Sequence, residues 1–253
     1  MPPAGRADGD PTTSTRVHAF YYGWYANAET DGAVAHWNHD ILGVDEPASF
    51  PGGENIGANY YPELGTYSSR DPEVVRTHLR QCATAGIGVL VVSWWGAGSL
   101  EDQGVPLLLD TAAESGVVIA FHLEPFPGRG AETSRGALAY LLDRYGTHPA
   151  LQRSPEHGDR PFVCIYDSYL TPAAEWRRLL HPDGDLSIRG TDLDVVAIGL
   201  WVQEDEGSFF REGGFDGFYT YFASDGFTWG ATVANWPTLA AWARDSGLLF
   251  IPC

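Results

Sequence analysis

From Val17 onward the sequence alternates short apolar runs with amphipathic stretches that close on glycine, and this alternation restricts the fold more than any other feature. Such a pattern is what a parallel sheet covered by helices requires. Seven runs read as strands, at 17–25, 87–95, 117–125, 161–169, 194–202, 215–223 and 247–252. Between them, Asp71-Pro72 can cap and open a helix whose face carries Val75, His78, Leu79 and Cys82 before Gly86. A second helix carries Leu108, Leu109 and Ala112 and stops at Gly116. A third runs from Ser134 through Leu138, Leu141 and Tyr145 to Gly146. Thr171-Pro172 opens a fourth with Trp176 and Leu179, and Asn235 is expected to cap a fifth with Leu239 and Trp242 before Gly247. The segment 26–70 lacks periodicity and reads as one extended loop, a length that usually signals function.

Alternating strand and helix units in a single domain leave two architectures, the doubly wound open sheet and the eight-stranded barrel. A nucleotide-binding open sheet would show a glycine fingerprint after its first strand. The residues there, YYGWYAN, contain neither GxGxxG nor GxxxxGK[ST]. The expected fold is therefore α/β, a (β/α)8 TIM barrel, here incomplete because seven strands do not close a standard barrel. The 253 residues and 44% hydrophobic content suit one domain, at 17–253 and lacking its last βα unit, behind a disordered polar tail at 1–16.

Asp and Glu number 33 against 15 cations, all of them Arg, for a net charge of −18, which makes nucleic acid a poor partner. Cys82, Cys164 and Cys253 are far apart, with no CxxC, and are expected to be buried thiols. His36 and His39 in HWNH lack a third ligand, so no metal is expected there. No cofactor is expected. The chain as written shows no apolar leader and no membrane-spanning run, so no membrane partner is expected; it reads as cytoplasmic as written, with localisation left open because an exported form would have had its signal removed or lost.

In a barrel the site lies at the C-terminal ends of the strands. Those ends hold Tyr22, Trp24 and Tyr25, then Trp94 and Trp95, His122 and Glu124, Tyr166 and Asp167, Trp201, and Tyr219 and Tyr221. Aromatic planes with sparse carboxylates suit pyranose sugars, whose C–H faces pack on rings while acids hold the hydroxyls. Trp94 and Trp95 must point to opposite sides, so one of them is packing. His122 and Glu124, two apart, share a face where the strand ends. Asp167 reads equally as a site carboxylate or as an acceptor for loop amides.

The runs FYYGWYAN, HWNH, YYPELGTYSSRDP, IGVLVVSWW, FHLEPF, YDSY, GFDGFYTYFASDGFTWG and NWPTLAAW, in this order across 17–252, resemble glycoside hydrolase family 99, the endo-α-1,2-mannosidases and mannanases. The resemblance implies a barrel that cleaves internal α-1,2-mannosidic linkages with retention and without cofactor. One carboxylate assists the substrate's own 2-hydroxyl to form an anhydro-sugar, and a second is the general acid and base, unlike the usual glycosyl-enzyme scheme. By the same resemblance Trp95 shapes the pocket on the non-reducing side, in the manner of mannan-cleaving members. His122, Glu124, Tyr219 and Tyr221 line the cleavage subsite, and Tyr22, Tyr25 and Asp167 also bind substrate. The family's Asn-Glu-Trp-His-Glu-like motif, which bears the acidic pair, does not occur, so that pair is expected beyond Cys253 and the chain as given is expected to be inactive. Two other readings stand beside this one: a non-catalytic α-mannoside-binding protein on a shortened barrel, and a glycosidase using Glu124 and Asp167 as its pair.

Overall fold

The strands β1 (Ser14–Tyr21) and β2 (Ile87–Trp94) run parallel, with His18 opposite Val89 and Tyr21 opposite Val92. Gly88 permits this pairing, because a Cβ there would lie 2.4 Å from the Ser14 carbonyl carbon. The computed structural model describes residues 13–37, 56–58 and 60–253. They form two units, one of the described residues up to Ser93 together with Gly98–Ile119, the other of Trp94–Ala97 and Ala120–Cys253. β1 begins at Ser14, so residues 14–16 belong to the sheet and not to a tail; their polar side chains hide a strand whose backbone is paired.

In the first unit the stretch 26–70 is not one extended loop. It holds α1 (Ala28–Asp31), whose cap Asn27 accepts from the Thr30 amide at 2.8 Å and which closes at Gly32 in the left-handed region. Four residues are too few to show a hydrophobic period, which is why the sequence pattern misses it. The Arg70 guanidinium ties back to Asp31 at 2.6 Å. The helices α2 (Pro72–Thr84) and α3 (Leu100–Ser115) are packed together, α2 burying Val75 and Leu79 and α3 burying Leu108, Leu109 and Ala112. Asp71 caps α2 by accepting from the Glu73 amide, and Ser99 caps α3 by accepting from the Asp102 amide at 3.2 Å. His78 of α2 lies 3.2 Å from the Tyr21 hydroxyl.

The chain continues with β3 (Val118–Leu123), which enters the second unit at Ala120, and the second unit then holds α4 (Ala131–Tyr145), β4 (Arg153–Ser154), β5 (Arg160–Ile165), α5 (Ala173–Leu180), β6 (Val196–Leu200), α6 (Gly207–Gly213), β7 (Gly217–Tyr219), α7 (Trp236–Ser246) and β8 (Leu249–Ile251). β3, β5, β6, β7 and β8 pair in that order, all parallel, while β4 pairs antiparallel with β5. Alternating strands and helices with parallel pairing make this the α/β architecture of an incomplete (β/α)8 barrel. The seven expected strands are all present, and β4 is an extra two-residue arm too short to carry a pattern. β5 and β7 stop at Ile165 and Tyr219, four residues earlier than apolarity suggests, because the rings that follow belong to loops.

Gly199 of β6 leaves room for neighbouring rings, since a Cβ there would meet Phe210 at 2.8 Å and Phe215 at 2.9 Å. Trp176 and Leu179 of α5 are fully buried, as their spacing predicts. Asn235 does not cap α7 with its side chain; its amide nitrogen donates to the Trp229 carbonyl at 2.9 Å instead. At the entrances of three strands, Asp216 accepts from Arg160 at 2.9 Å, from Arg189 at 2.8 Å and from the Ala197 amide at 2.8 Å. Asp194 accepts from the same two guanidinium groups at 3.1 and 3.0 Å. Of the cysteines, Cys164 is buried and Cys82 half-buried; Cys253, past the end of β8, is exposed, contrary to expectation.

Candidate functional site

The ends of β3, β5 and β7 bring together five of the residues that the sequence places at strand ends, His122, Glu124, Tyr166, Tyr219 and Tyr221. His122 sits in β3 and Glu124 one residue beyond it, and both are buried although both are polar. Unpaired burial of such groups is costly, so their contacts matter. His122 Nε2 is 2.6 Å from the hydroxyl of Tyr219, the last residue of β7. On the other side of the ring, Nδ1 is 3.3 Å from Glu124 Oε1, an ion-pair distance when the imidazole is protonated. The Glu124 amide donates to the Trp94 carbonyl at 3.1 Å, which fixes the backbone where β3 ends. A carboxylate, an imidazole and a phenol thus stand in a row.

Tyr166 and Tyr221 flank that row. Their centroids lie 5.2 and 5.7 Å from the His122 ring and 4.8 Å from each other. Burial, foremost, and then Asp167, Tyr221 and Glu124 push the Tyr166 phenol up to about 12. The Tyr219 phenol is raised well above its ordinary value by burial, with neighbouring anion-forming groups adding to the effect. Both therefore stay protonated at neutral pH and can donate a hydrogen bond.

Trp94 and Trp95 divide as their alternation requires. Trp94 is buried against Tyr140, at 5.9 Å between centroids, whereas Trp95 is 46% exposed and presents its indole outward. Asp167 takes a left-handed backbone conformation, φ 46°, unusual for a residue with a side chain. Its carboxylate accepts from the Tyr169 hydroxyl at 2.9 Å, and it is half-buried, so it is held within its own loop. Tyr22 and Tyr25 belong to the first unit, where Tyr22 stacks on Trp24 at 4.6 Å and Tyr25 on Trp37 at 4.1 Å. His36 stacks on Trp24, and His39 lies outside the described residues. Among the described residues no three His, Cys, Asp or Glu side chains gather as a metal site.

Sequence reasoning overlooked Arg129, in the loop between β3 and α4. Its guanidinium donates to the Tyr166 carbonyl at 2.7 Å, to the Asp167 carbonyl and, through Nε, to the Thr171 hydroxyl at 3.0 Å, with the Trp176 ring 5.6 Å away. Burial lowers its pKa, while Asp167, Tyr219 and Glu124 oppose that shift. The signal available in the sequence was its place as the one cation in FPGRG, just past a strand-end glutamate. The cluster can bind hydroxyl groups with both acceptors and donors, and Trp95 offers a flat face.

The family model for glycosyl hydrolase family 99 matches residues 12–253. A glycoprotein endo-alpha-1,2-mannosidase of Mus musculus is 40% identical over 258 residues, covering 96% of this chain and 56% of that protein. A glycoprotein endo-alpha-1,2-mannosidase-like protein of Homo sapiens is 42% identical over 262 residues, with 96% and 57% covered. The chain thus spans little more than half the length of these curated relatives. The solved structure of the GH99 endo-alpha-mannosidase from Bacteroides thetaiotaomicron superposes with a TM-score of 0.85 at 44% identity, covering 95% of this chain and 69% of that one. Matches of this extent in sequence and in fold leave one conclusion, that the chain belongs to glycosyl hydrolase family 99.

Proposed function

We propose that this chain carries the sugar-binding part of a retaining endo-α-1,2-mannosidase site, acting on internal α-1,2-mannosidic linkages of an α-mannoside oligosaccharide or mannan. The observation that carries the reading is the buried Glu124–His122–Tyr219 row at the ends of β3 and β7 in a member of this family. The names of the relatives support the choice of mannose. In this reading Glu124 accepts from sugar hydroxyl groups, and His122 and Tyr219 hold it and one another in place. Tyr166 and Tyr221 wall the sugar ring, Trp95 stacks on the neighbouring sugar, and Asp167 shapes the rim. For Tyr22 and Tyr25, in the first unit, a part in substrate binding rests on the family resemblance alone. The acid–base carboxylates of the whole protein are assigned to a motif that these 253 residues do not contain.

Titration of α-1,2-linked mannotriose into the purified chain, alongside an assay of α-1,2-mannan hydrolysis, tests this. Binding that Glu124→Gln weakens at least tenfold, with no turnover until the remainder of a full-length relative is joined, is the expected result. Turnover by the chain alone, lost in Glu124→Gln, would put the acid–base pair inside it. Binding with no turnover in a full-length protein would favour the non-catalytic α-mannoside-binding reading.

A further inference from the structure

The second unit holds a cleft of about 420 Å³ that shares no lining residue with the His122 cluster. Its floor is Trp201, which follows β6 directly and is only 3% exposed. That ring stacks on Phe210 at 5.1 Å and its Nε1 donates to the Gln203 carbonyl at 2.5 Å, so it is fixed from below. Trp229, from the loop after β7, and Trp242, from α7, form the walls, with centroids 6.3 and 5.0 Å from that of Trp201. Glu204 and Asp205, in the exposed loop that enters α6, and Arg211 on α6 make the rim.

Three of the nine tryptophans of the chain therefore face one opening, where rings needed only for packing would have closed it. The wall is set by the absence of a side chain at Gly207, since a Cβ there would come within 2.6 Å of the Trp242 ring. The volume falls in the range of small-ligand sites, about 300 to 1,000 Å³. A cation is disfavoured because the Arg211 guanidinium already lies 5.6 Å from the centre of the Trp242 ring. An anion would meet Glu204 and Asp205 on a chain of net charge −18. What remains is a neutral ligand with flat C–H faces for the indoles and hydroxyl groups for the carboxylates.

We infer that this cleft is a second, non-catalytic binding site for a neutral pyranose, holding one or two residues of an oligosaccharide. The proposal rests on the α-mannoside reading above only for the first probe. The full chain carrying Glu124→Gln, which weakens the first site at least tenfold, is titrated with α-1,2-mannotriose, maltotriose and cellotriose while tryptophan fluorescence is followed. Saturable quenching by at least one of these is expected, with Trp229→Ala and Trp242→Ala each weakening it at least tenfold. Glu204→Gln with Asp205→Asn, both exposed and harmless to folding, should weaken it several-fold. No saturable response to any of the three sugars, or a response indifferent to the rim variant, would overturn the proposal. Quenching by tetramethylammonium that competes with the sugars would overturn it in favour of a cation cage. Failure of the first site is separately visible, as equal mannotriose affinity in the parent and Glu124→Gln chains.

Discussion

The hydroxyl of Tyr219 lies 2.6 Å from His122 Nε2, joining the end of β7 to the middle of the candidate site by a hydrogen bond between two fully buried side chains. Tyr219→Phe keeps the ring and removes this partner. A buried polar atom stripped of its partner costs about 1 to 3 kcal/mol. Denaturant unfolding should show a loss of that size, together with weaker sugar binding as the imidazole loses its anchor. A variant of unchanged stability would mean that the bond contributes nothing.

Trp94 and Trp95 are neighbours with opposite expected phenotypes. Trp94→Ala empties a packed position against Tyr140 and should cost about 3 to 5 kcal/mol of stability. Trp95→Ala, at an exposed position, should leave stability within about 0.5 kcal/mol and cost about 1 kcal/mol of binding, roughly fivefold in affinity. Melting curves and mannotriose titration on the pair separate the two roles. Interchanged phenotypes would refute the assignment.

The strand-entrance clamp predicts an acid limit. Burial raises the pKa of Asp194, but the Gly190 amide, Arg189 and Arg160 outweigh it, so its folded value lies below the ordinary 3.8. Its stabilisation is therefore present above about pH 4 and is lost as the pH falls through the lower, folded value. Asp216→Asn removes the other half of the clamp. The expected cost is about 2 to 3 kcal/mol, below that of a fully buried pair because Asp194 remains for both arginines. The variant should also unfold at a higher pH on acidification, which a titration followed by circular dichroism would detect.

An alkaline limit follows from the phenols. Burial first, and then Asp167, hold both Tyr166 and Tyr169 at about 12 in the folded state, against 10.0 for a free phenol. The folded chain thus keeps protons that the unfolded chain releases between about pH 10 and 12. Stability should be complete below that window and fall as the pH rises through it. Absorbance of tyrosinate should lag in the native protein and appear in full on denaturation. Simultaneous titration of every tyrosine near pH 10 in folded protein would contradict the arrangement.

Much of this was legible in the residues. The apolar runs of β2 and β3 and the Asp71-Pro72 opening of α2 carry their own physics, period and cap, and the structure places them within a residue or two. His122 and Glu124 were legible because a period of two puts both on one face and burial of either demands partners. α6 was not, because GSFFREG sets two phenylalanines side by side without a helical period. Arg129 was not legible because its role lies in three contacts made across long sequence separations, which no local pattern encodes. Ser14–Arg16 looked like tail because a strand can be held by its backbone alone.

Arg129 carries one more implication. The main chain of Tyr166 and the strained turn at Asp167 are held by a single planar fork that donates to both carbonyls, so the entropy of ordering this segment is spent when the protein folds, and the proposed site would not have to supply it on binding. Lysine also has three donors, but they radiate from one nitrogen and cannot span the separated positions that Nε and the two terminal nitrogens of Arg129 reach at the Thr171 hydroxyl and the Tyr166 and Asp167 carbonyls. On the proposed sugar-binding reading, Arg129→Lys would keep the rings and carboxylates of the site and still release sugar faster, because each encounter would have to order this segment anew.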